Sequence, residues 1–373
     1  MKIINIRLGE FPIKIFIGHN CFSYIIKELL SLPHSKFLLI SDPYLIEKYP
    51  IFPKERIKVM TITPSENEKT IRNISNYIEK AIELDINQSS AIISFGGGLC
   101  GNIAGVMAAM LYMGIPLYHI PTTTVAMFDS AISIRHRINS QYGKNLIGLF
   151  YPPTKIFIDS LFVKTLPLRF YRSGLVEFVK TLLVSEDILS NDIQKKIEHC
   201  SPSAFEILQD ILEYGINLKV KAIKEDPYEK YEGLKLHYGH EFGNIFEYIS
   251  NGKILHGEAV ALGMFLSAKI SKKMGYLSSK DYQIHNDIIK KIGINFDYPH
   301  GISPEQVISF LKNDRIIQTH IINNELHVPL VLLERIGHPL YNGIIPKINV
   351  PLSTVEFVLK EWKQNTKNNI NNQ

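Results

Sequence analysis

The sequence predicts an α/β protein with two domains, a Rossmann-like dinucleotide-binding domain followed by a mainly helical one. Three observations lead to this prediction. The chain has 373 residues, about twice the length of a typical single domain. Strand and helix patterns alternate up to about residue 160, and helical patterns prevail after it. We therefore place the first domain at residues 1–160 and the second at residues 161–373.

The first domain has the patterns of a mainly parallel sheet. Apolar and polar residues alternate over residues 3–17 around Gly9, which predicts a β-hairpin. Short apolar runs predict four buried strands, at residues 36–40, 57–62, 90–95 and 116–120. Helical spacing of apolar residues predicts two helices, at residues 68–84 and 102–113. Repeated strand–helix–strand units imply parallel strands joined by helices.

The second domain has the patterns of a helical domain. Apolar spacing predicts four helices, at residues 171–188, 203–224, 237–250 and 256–275. Gly275 is placed to end the last of these helices. A strand-like run appears only at residues 326–333.

Composition and charge exclude several classes of protein. Hydrophobic residues make up 45% and charged residues 21% of the chain, which argues against disorder and against a coiled coil. The net charge of +5 comes from scattered basic residues, so we expect no nucleic-acid partner. Three widely spaced cysteines argue against a disulfide framework. The absence of a long apolar run predicts a cytoplasmic protein without a membrane partner.

A glycine-rich turn is the first candidate binding feature. The run from Gly96 to Gly101 matches GxGxxG between a predicted strand and a predicted helix. Glycines let the backbone approach a pyrophosphate, and a helix N-terminus offers free N–H groups to it. Such a turn can also merely connect two elements, so the residues leave both readings open. The acidic residue expected about 20 positions later for the ribose is missing, and Asp42 after an earlier strand is the better candidate.

Histidines in the second half are the second candidate feature. His237 and His240 lie three residues apart, which predicts that they share one face of a helix. With His256 and a carboxylate they would suit a catalytic zinc ion with an open position, although buried core histidines are the alternative. Three lysines in apolar surroundings, which either bind ligands or extend to solvent, are Lys144, Lys180 and Lys219.

Read in order, these segments resemble the sugar phosphate cyclase superfamily, whose best known member is 3-dehydroquinate synthase. The resemblance runs from about Asp42 to Arg315. The matching segments are Glu66-Asn67-Glu68-Lys69-Thr70, Gly96-Gly97-Gly98, Pro121-Thr122-Thr123, Asp129-Ser130, Gly143-Lys144-Asn145, Leu166-Pro167-Leu168-Arg169, Glu177 with Lys180, Gly239-His240 and His256-Gly257-Glu258-Ala259. It implies a Rossmann-like NAD domain, a helical metal domain, a site in the cleft between them, and a homodimer.

The resemblance also implies roles for single residues. The residues that it assigns to NAD are Asp42, Glu66, Lys69, Gly97, Gly98, Asn102, Thr122, Thr123, Asp129 and Lys144. It assigns one divalent metal ion, Zn²⁺ or Co²⁺, to Glu177, His240 and His256. The residues that it places around the substrate are Asp129, Lys144, Asn145, Lys180 and Lys219, with His237, Arg135 and Arg315 at substituted positions of the family pattern.

Within the superfamily, the sequence is most similar to the 2-deoxy-scyllo-inosose synthases. Gly101-Asn102 and Ser133-Ile134 resemble that group rather than the dehydroquinate synthases. The arginine that meets the substrate carboxylate in dehydroquinate synthases has no counterpart here, since Gly233 falls near its place. The resemblance therefore implies a lyase that cyclises glucose 6-phosphate, or a related sugar phosphate, with release of phosphate, as in aminoglycoside biosynthesis.

Several residues depart from the pattern of the superfamily. Arg135 and Arg315 stand for lysines, and His237 stands for the glutamate of the inosose synthases. Met113 replaces an arginine, and Asn244 replaces the second histidine of the GHxxGH pattern. Either the substrate differs, or Arg135, His237 and Arg315 rebuild a phosphate pocket. The alternatives are a 3-dehydroquinate synthase, a metal-dependent polyol dehydrogenase and a paralogue that binds NAD without turnover.

Overall fold

The computed structural model describes residues 1–50, 53, 55–186, 190–313, 317 and 319–371. Contacts between Cα atoms divide the chain into two compact units. The first comprises Met1–Tyr171 with Ser201–Val220, and the second comprises Arg172–Cys200 with Lys221–Gln373. A single boundary after residue 160 stays a prediction of domain organisation.

The strands lie mostly in the first unit. They are β1 (Lys2–Leu8), β2 (Phe11–Gly18), β3 (Phe37–Ser41), β4 (Ile57–Thr61), β5 (Ala91–Gly96), β6 (Leu117–Pro121), β7 (Arg135–Ser140), β8 (Gly143–Phe150), β9 (Lys155–Asp159), β10 (His320–Ile322), β11 (Glu325–Leu330), β12 (Leu333–Arg335), β13 (His338–Pro339) and β14 (Ile348–Pro351).

The helices include the six that the sequence predicted and others that it did not. They are α1 (Phe22–Leu30), α2 (Pro43–Lys48), α3 (Ile71–Glu83), α4 (Gly98–Met110), α5 (Leu168–Leu183), α6 (Asn191–His199), α7 (Phe205–Ile223), α8 (His240–Ile249), α9 (His256–Lys273), α10 (Ser279–Lys291), α11 (Pro304–Asn313) and α12 (Leu352–Asn371). No helix in the described part of the chain is both long enough and apolar enough to cross a membrane.

One sheet organises the first unit. In the described residues its strand order is β1-β2-β9-β6-β5-β3-β4, and only β1 runs antiparallel to its neighbour. The chain passes from β3 to β4 on one side and then returns to β5 on the other, so the strand order reverses between β3 and β5. Ligands of such sheets bind outside the carboxyl ends of the strands at this reversal. The predicted class, an α/β fold with a mainly parallel sheet, is confirmed.

Differences from the predicted elements have local causes. Helix α3 begins at Ile71 rather than residue 68, because the Thr70 side chain accepts a hydrogen bond from the Asn73 amide and caps the helix. Helix α4 begins at Gly98, inside the glycine-rich turn and before the predicted start. The antiparallel hairpin of β7 and β8 was not predicted, since β7 is mostly polar and the apolar run of β8 is half-exposed or exposed.

The second unit is mainly helical, with small antiparallel sheets near its end. Its core combines side chains of α8, α9, α11, β11, β14 and α12, and includes the only tryptophan of the sequence, Trp362. The predicted role of Gly275 as a helix terminator is confirmed, because its φ of 81° follows the end of α9.

A buried histidine in this unit makes the stability of the fold depend on pH. His285 on α10 is fully buried. Its Nδ1 lies 3.0 Å from Asn286 Oδ1, and its Nε2 lies 2.9 Å from the Tyr238 hydroxyl. An amide oxygen only accepts, so Nδ1 donates to it, and the Tyr238 hydroxyl also lies 3.3 Å from the Met264 carbonyl oxygen. Burial lowers the pKa of His285 from its ordinary value of 6.5 to about 4.

We predict that His285 weakens the fold as the pH falls from about 6.5 towards about 4. Over this range the unfolded chain binds a proton at His285 and the folded chain does not, so stability decreases by about 1.4 kcal/mol per pH unit. Denaturant unfolding at pH 7 and pH ~4.5 measures the decrease. Between these pH values the free energy of unfolding of His285→Gln should decrease by about 2–3 kcal/mol less than that of the native chain. His320→Gln, at an exposed position, should show the same decrease as the native chain. Equal pH slopes for all three proteins would contradict the prediction.

Candidate active site

The three predicted metal ligands meet in the second unit. Glu177 lies on α5, and His240 and His256 are the first residues of α8 and α9. One ligand atom from each residue lies within 4.8 Å of the others. Oε1 of Glu177 is 3.1 Å from Nε2 of His256 and 3.6 Å from Nε2 of His240. The geometry therefore brings one carboxylate oxygen and two imidazole nitrogens together.

Glycine contacts bring these three helices close enough. Gly239 has a φ of 80°, and a Cβ there would lie 2.7 Å from the Val260 carbonyl oxygen of α9. A Cβ on Gly263 would overlap the Gly239 carbonyl oxygen, and one on Gly257 would overlap the Ser173 carbonyl oxygen of α5. Only glycine permits these backbone approaches. They place the N-termini of α8 and α9 beside the turn of α5 that carries Glu177.

The donor set fits a divalent cation. The Glu177 side chain is 1% exposed, and its Oε1 makes no hydrogen bond with the described residues. Burial raises the pKa of Glu177, but the Lys180 ammonium and the two imidazoles outweigh burial and hold it well below its usual range. Burial, followed by the charge of Lys180, holds the pKa of His240 well below its usual range, so its imidazole is neutral. An ionised carboxylate and a neutral imidazole are the forms that bind Zn²⁺ or Co²⁺.

Glu247 completes the surroundings of the triad and was missed in the sequence. Its Oε2 lies 3.0 Å from Nδ1 of His256. Burial lowers the pKa of His256, but the carboxylates of Glu177 and Glu247 outweigh it and raise the pKa to about 10. The same two negative charges attract a metal ion. Glu247 follows His240 by seven residues on α8, two helical turns, and this spacing could have indicated it.

The structure separates His237 from His240. The prediction that they share one helix face is wrong, because His237 ends a short 3₁₀-helix (Glu232–His237) and the left-handed Gly239 precedes α8. Their ring centroids are 6.4 Å apart. Nε2 of His237 instead lies 3.3 Å from Oε2 of Glu229. His237 therefore lies beside the triad without belonging to it.

The candidate dinucleotide site lies in the first unit, at the reversal between β3 and β5. Asp42 follows β3, where its carboxylate accepts the Leu45 amide at 3.0 Å and caps α2. Gly97 follows β5 and caps α4. A Cβ on Gly97 would lie 3.1 Å from Thr123, and one on Gly98 would lie 2.9 Å from the Ser130 hydroxyl. The turn thus ends in a helix N-terminus suited to a phosphate group.

A polar network lies beside the 3₁₀-helix Glu66–Glu68. The buried Lys69 donates from Nζ to Asn145 Oδ1 at 2.8 Å and lies 3.5 Å from Glu66 Oε2. Asn139, which the sequence analysis missed, donates to the same Glu66 oxygen at 3.0 Å. Asn145 has a left-handed φ of 57°, and Lys144 before it is half-buried. Two predicted NAD residues and a predicted substrate residue therefore share one network.

Three further candidates of the first unit, Thr122, Thr123 and Asn102, lie near the glycine-rich turn. The buried Thr122 donates its amide to the Gly96 carbonyl oxygen at 3.0 Å. The Thr123 hydroxyl accepts the Ala126 amide at 3.2 Å. Asn102 accepts the Arg137 amide at 2.6 Å and donates to the Gly98 carbonyl oxygen at 2.8 Å. Its side chain therefore ties β7 to the turn.

Two residues predicted to line the substrate form an ion pair in the same unit, with Lys219 buried and Asp129 31% exposed. Lys219 on α7 is 2% exposed and donates from Nζ to Oδ1 and to the backbone oxygen of Asp129, both at 2.5 Å. Asp129 lies on a single π-helical turn, Ala126–Ser130. In the second unit Lys180 is equally buried and donates to Oε2 of Glu177 at 2.6 Å. Both lysines are buried and have a carboxylate partner, as charged groups in an interior require.

The substituted positions have different surroundings. Arg135 begins β7 and is half-buried. Met113 is 96% exposed and has a left-handed φ of 65°. Asn244 is exposed on α8. Arg315 lies outside the described residues.

The sequence matches two family models in succession. The 3-dehydroquinate synthase N-terminal model matches residues 59–173, and the C-terminal model matches residues 174–316. Together they cover more than half of the chain. The chain belongs to the 3-dehydroquinate synthase family. The predicted superfamily and the two-part α/β architecture are thereby confirmed.

Relatives within this family share most of the chain. The 2-deoxy-scyllo-inosose synthase of Streptoalloteichus tenebrarius is 30% identical over 97% of this chain and 95% of its own length. That of Niallia circulans is 34% identical over 77% of this chain and 78% of its own. A crystal structure of 2-deoxy-scyllo-inosose synthase complexed with carbaglucose-6-phosphate, NAD⁺ and Co²⁺ matches with a TM-score of 0.89 at 30% identity, covering 97% of this chain and 100% of that one.

We predict that Glu247→Gln weakens metal binding by about 10-fold to 100-fold, because the amide no longer supplies the charge that orients His256. Titration of the metal-free protein with Co²⁺, followed by its visible absorption, gives the dissociation constant. Glu334→Gln removes one charge from an exposed position in the same unit and should bind Co²⁺ as the native chain does. An unchanged constant in Glu247→Gln would show that Glu247 does not support the site.

Proposed function

We propose that this family member is an NAD- and divalent-metal-dependent sugar phosphate cyclase of the 2-deoxy-scyllo-inosose synthase kind. Its substrate is glucose 6-phosphate or a related sugar phosphate, which it converts to a carbocycle with release of phosphate. One observation carries the proposal: the Glu177, His240 and His256 triad, with its buried Oε1 aimed at two imidazoles. It occurs in a chain about 30% identical, over nearly its whole length, to curated 2-deoxy-scyllo-inosose synthases.

The triad and the glycine-rich turn hold the two cofactors. When bound, the metal ion polarises a substrate oxygen, and NAD accepts and returns a hydride. Glu177, His240 and His256 hold the metal, and Lys180 fixes the other oxygen of Glu177. Gly97 and Gly98 after β5 would bind the pyrophosphate of NAD, and the other predicted NAD residues are Asp42, Glu66, Lys69, Asn102, Thr122, Thr123, Asp129 and Lys144.

Buried lysines supply the proton-handling groups. The ion pair with Asp129 holds the buried ammonium of Lys219, which orients a substrate hydroxyl and takes part in its proton transfer. Asn145 and Lys144 lie at the start of β8 and add polar contacts to the same ligand. Asn145 is held by Lys69.

The residues that the resemblance suggests for the substrate phosphate are Arg135, His237 and Arg315. They compensate for the arginine and histidine that Met113 and Asn244 replace. The guanidinium groups offer a fixed charge and a bidentate geometry for phosphate oxygens.

The 3-dehydroquinate synthase reaction is a poorer fit to the second unit. The arginine that binds a substrate carboxylate has no counterpart, and Gly233 lies near its place. A Cβ on Gly233 would lie 2.9 Å from Glu229 Cγ, so a side chain would displace the buried Glu229. As part of the same proposal, the enzyme works in the cytoplasm as a homodimer and supplies a carbocycle for aminoglycoside biosynthesis.

Incubation with glucose 6-phosphate, NAD and Co²⁺ or Zn²⁺ should release phosphate without net growth of NADH absorbance, because the hydride returns to the product. EDTA should abolish phosphate release, and added Co²⁺ or Zn²⁺ should restore it. Steady production of NADH would instead indicate a polyol dehydrogenase. Binding of NAD with no turnover of the sugar phosphate would indicate a paralogue without enzymatic function.

Arg135→Ala should lower kcat/KM for the sugar phosphate. The expected loss of transition-state stabilisation is about 2–4 kcal/mol, because the substitution removes one charge-assisted partner of a desolvated anion. Arg135→Lys should recover part of the loss, because lysine keeps the charge but not the planar fork. Arg72→Ala, at an exposed position on α3, is the control. If Arg135→Ala stays within about twofold of the native chain, Arg135 acts as an ordinary surface charge.

A further inference from the structure

The β7–β8 hairpin contains a bulge opposite Asn139. The register of the two strands shifts there, so that this one residue of β7 lies opposite residues 144–146 of β8. Asn145, in the middle of that segment, has a left-handed φ of 57°. Bulges re-aim side chains and occur often beside active sites. The segment that carries the predicted substrate residues Lys144 and Asn145 thus departs from the regular ladder.

The oxygen of the Asn139 side chain holds this bulge. Its Oδ1 accepts the backbone amide of Asn145 at 3.0 Å. Because a backbone amide only donates, the atom of Asn139 that faces it must be the oxygen, and this fixes the orientation of the side-chain amide. The Asn139 side chain therefore supplies the kind of acceptor that a backbone carbonyl supplies in a regular ladder.

The amino group of Asn139 is directed at Glu66. Its Nδ2 donates to Oε2 of Glu66 at 3.0 Å and to the backbone oxygen of Glu66 at 3.1 Å. The backbone of Asn139 joins the same segment, since its amide donates to the Lys69 carbonyl oxygen at 2.6 Å and the residue forms a parallel bridge with Thr70. One residue of β7 therefore holds both the side chain and the main chain of segment 66–70.

Lys69 closes these contacts into a ring. Its Nζ donates to Oδ1 of Asn145 at 2.8 Å and lies 3.5 Å from Oε2 of Glu66. An ammonium only donates, so Asn145 turns its oxygen to Lys69 and its amino group away from it. Asn139, Glu66, Lys69 and Asn145 thus form a closed cycle of polar contacts that fixes the orientation of both side-chain amides.

We propose that Asn139 is the positioning residue that joins the cofactor contacts and the substrate contacts of the site. It holds the Glu66 carboxylate for NAD and the left-handed Asn145 for an oxygen of the sugar phosphate. The position needs both a donor and an acceptor, because one partner of Asn139 accepts a hydrogen bond and the other donates one. This inference rests on the proposed function, in which Glu66 contacts NAD and Asn145 contacts the substrate.

The first test measures NAD binding to the whole protein by calorimetry, without substrate. Asn139→Leu keeps a similar branched shape without hydrogen bonds and should weaken NAD binding about tenfold. Glu66→Ala should weaken it at least as much, and the double variant should bind as Glu66→Ala does, because Asn139 acts through Glu66. Asn87→Leu, the matched control, removes a half-buried, hydrogen-bonded asparagine from the same unit and should bind NAD as the native protein does.

An exchange of donor and acceptor tests the pairing itself. Asn139→Asp keeps an acceptor for the Asn145 amide but places a second carboxylate beside Glu66, so NAD binding should weaken at least tenfold. Adding Glu66→Gln restores one donor and one acceptor, in exchanged positions and with the native net charge, and should recover most of this loss. The exchange decides the matter even if Asn139→Leu does not fold.

Turnover tests the contact with the substrate. At saturating NAD, Asn139→Leu should lower kcat/KM for glucose 6-phosphate about tenfold. Asn145→Gly removes the side chain and tolerates the left-handed backbone. Adding Asn139→Leu to Asn145→Gly should lower kcat/KM no further, because Asn139 reaches the substrate only through Asn145.

Several results would overturn the inference: a native protein that binds no NAD, normal NAD binding or normal turnover by Asn139→Leu, additive losses in either double variant, or an exchanged pair that binds NAD no better than Asn139→Asp. The expected pattern of NAD binding without any turnover of sugar phosphates would instead reject the proposed function, and the positioning of Glu66 by Asn139 would stand.

Discussion

The close approach of three helix backbones is the constraint on which the candidate metal centre depends. Gly239 and Gly263 let α8 meet α9, and Gly257 lets α9 meet α5 at Ser173. A methyl group at these positions would overlap backbone atoms, which have no rotamer by which to move aside. The helices would separate, and the carboxylate and imidazoles that they carry would separate with them. The glycines are thus as necessary to the site as its ligands.

Carboxylates behind imidazoles recur around this centre. Glu247 stands behind His256, and Glu229 stands behind His237. In both pairs the acid is the more buried partner, and the imidazole keeps part of its surface exposed. A negative charge held in the interior fixes one nitrogen of the ring and so determines what the other can do. In the second unit, the buried carboxylates of Glu247 and Glu229 therefore orient these histidines, and a ligand of the histidines need not contact the carboxylates.

Sequence patterns predicted the features that depend on neighbours along the chain. Short apolar runs predicted the parallel strands β3 to β6, and glycines between strand and helix predicted the turn at Gly97. Features that depend on distant partners escaped prediction, since the local sequence pattern marks them weakly or not at all. Asn139 and Glu247 have roles only because other elements fold against them. His237 and His240 were misplaced because spacing alone does not reveal that Gly239 adopts a left-handed conformation between two helices.

The hairpin of β7 and β8 shares its anchors with the dinucleotide site. Asn102 ties its first strand to the glycine-rich turn, and Asn145 in its second strand is held by Lys69. In the proposed enzyme, therefore, Asn102 and Lys69 would contact the nucleotide and also hold the hairpin that carries Arg135. If bound NAD raises the affinity for the sugar phosphate through this hairpin, the bound sugar phosphate raises the affinity for NAD by the same factor. Such reciprocity retains NAD while a substrate is bound, which suits a reaction that must return its hydride before the product leaves.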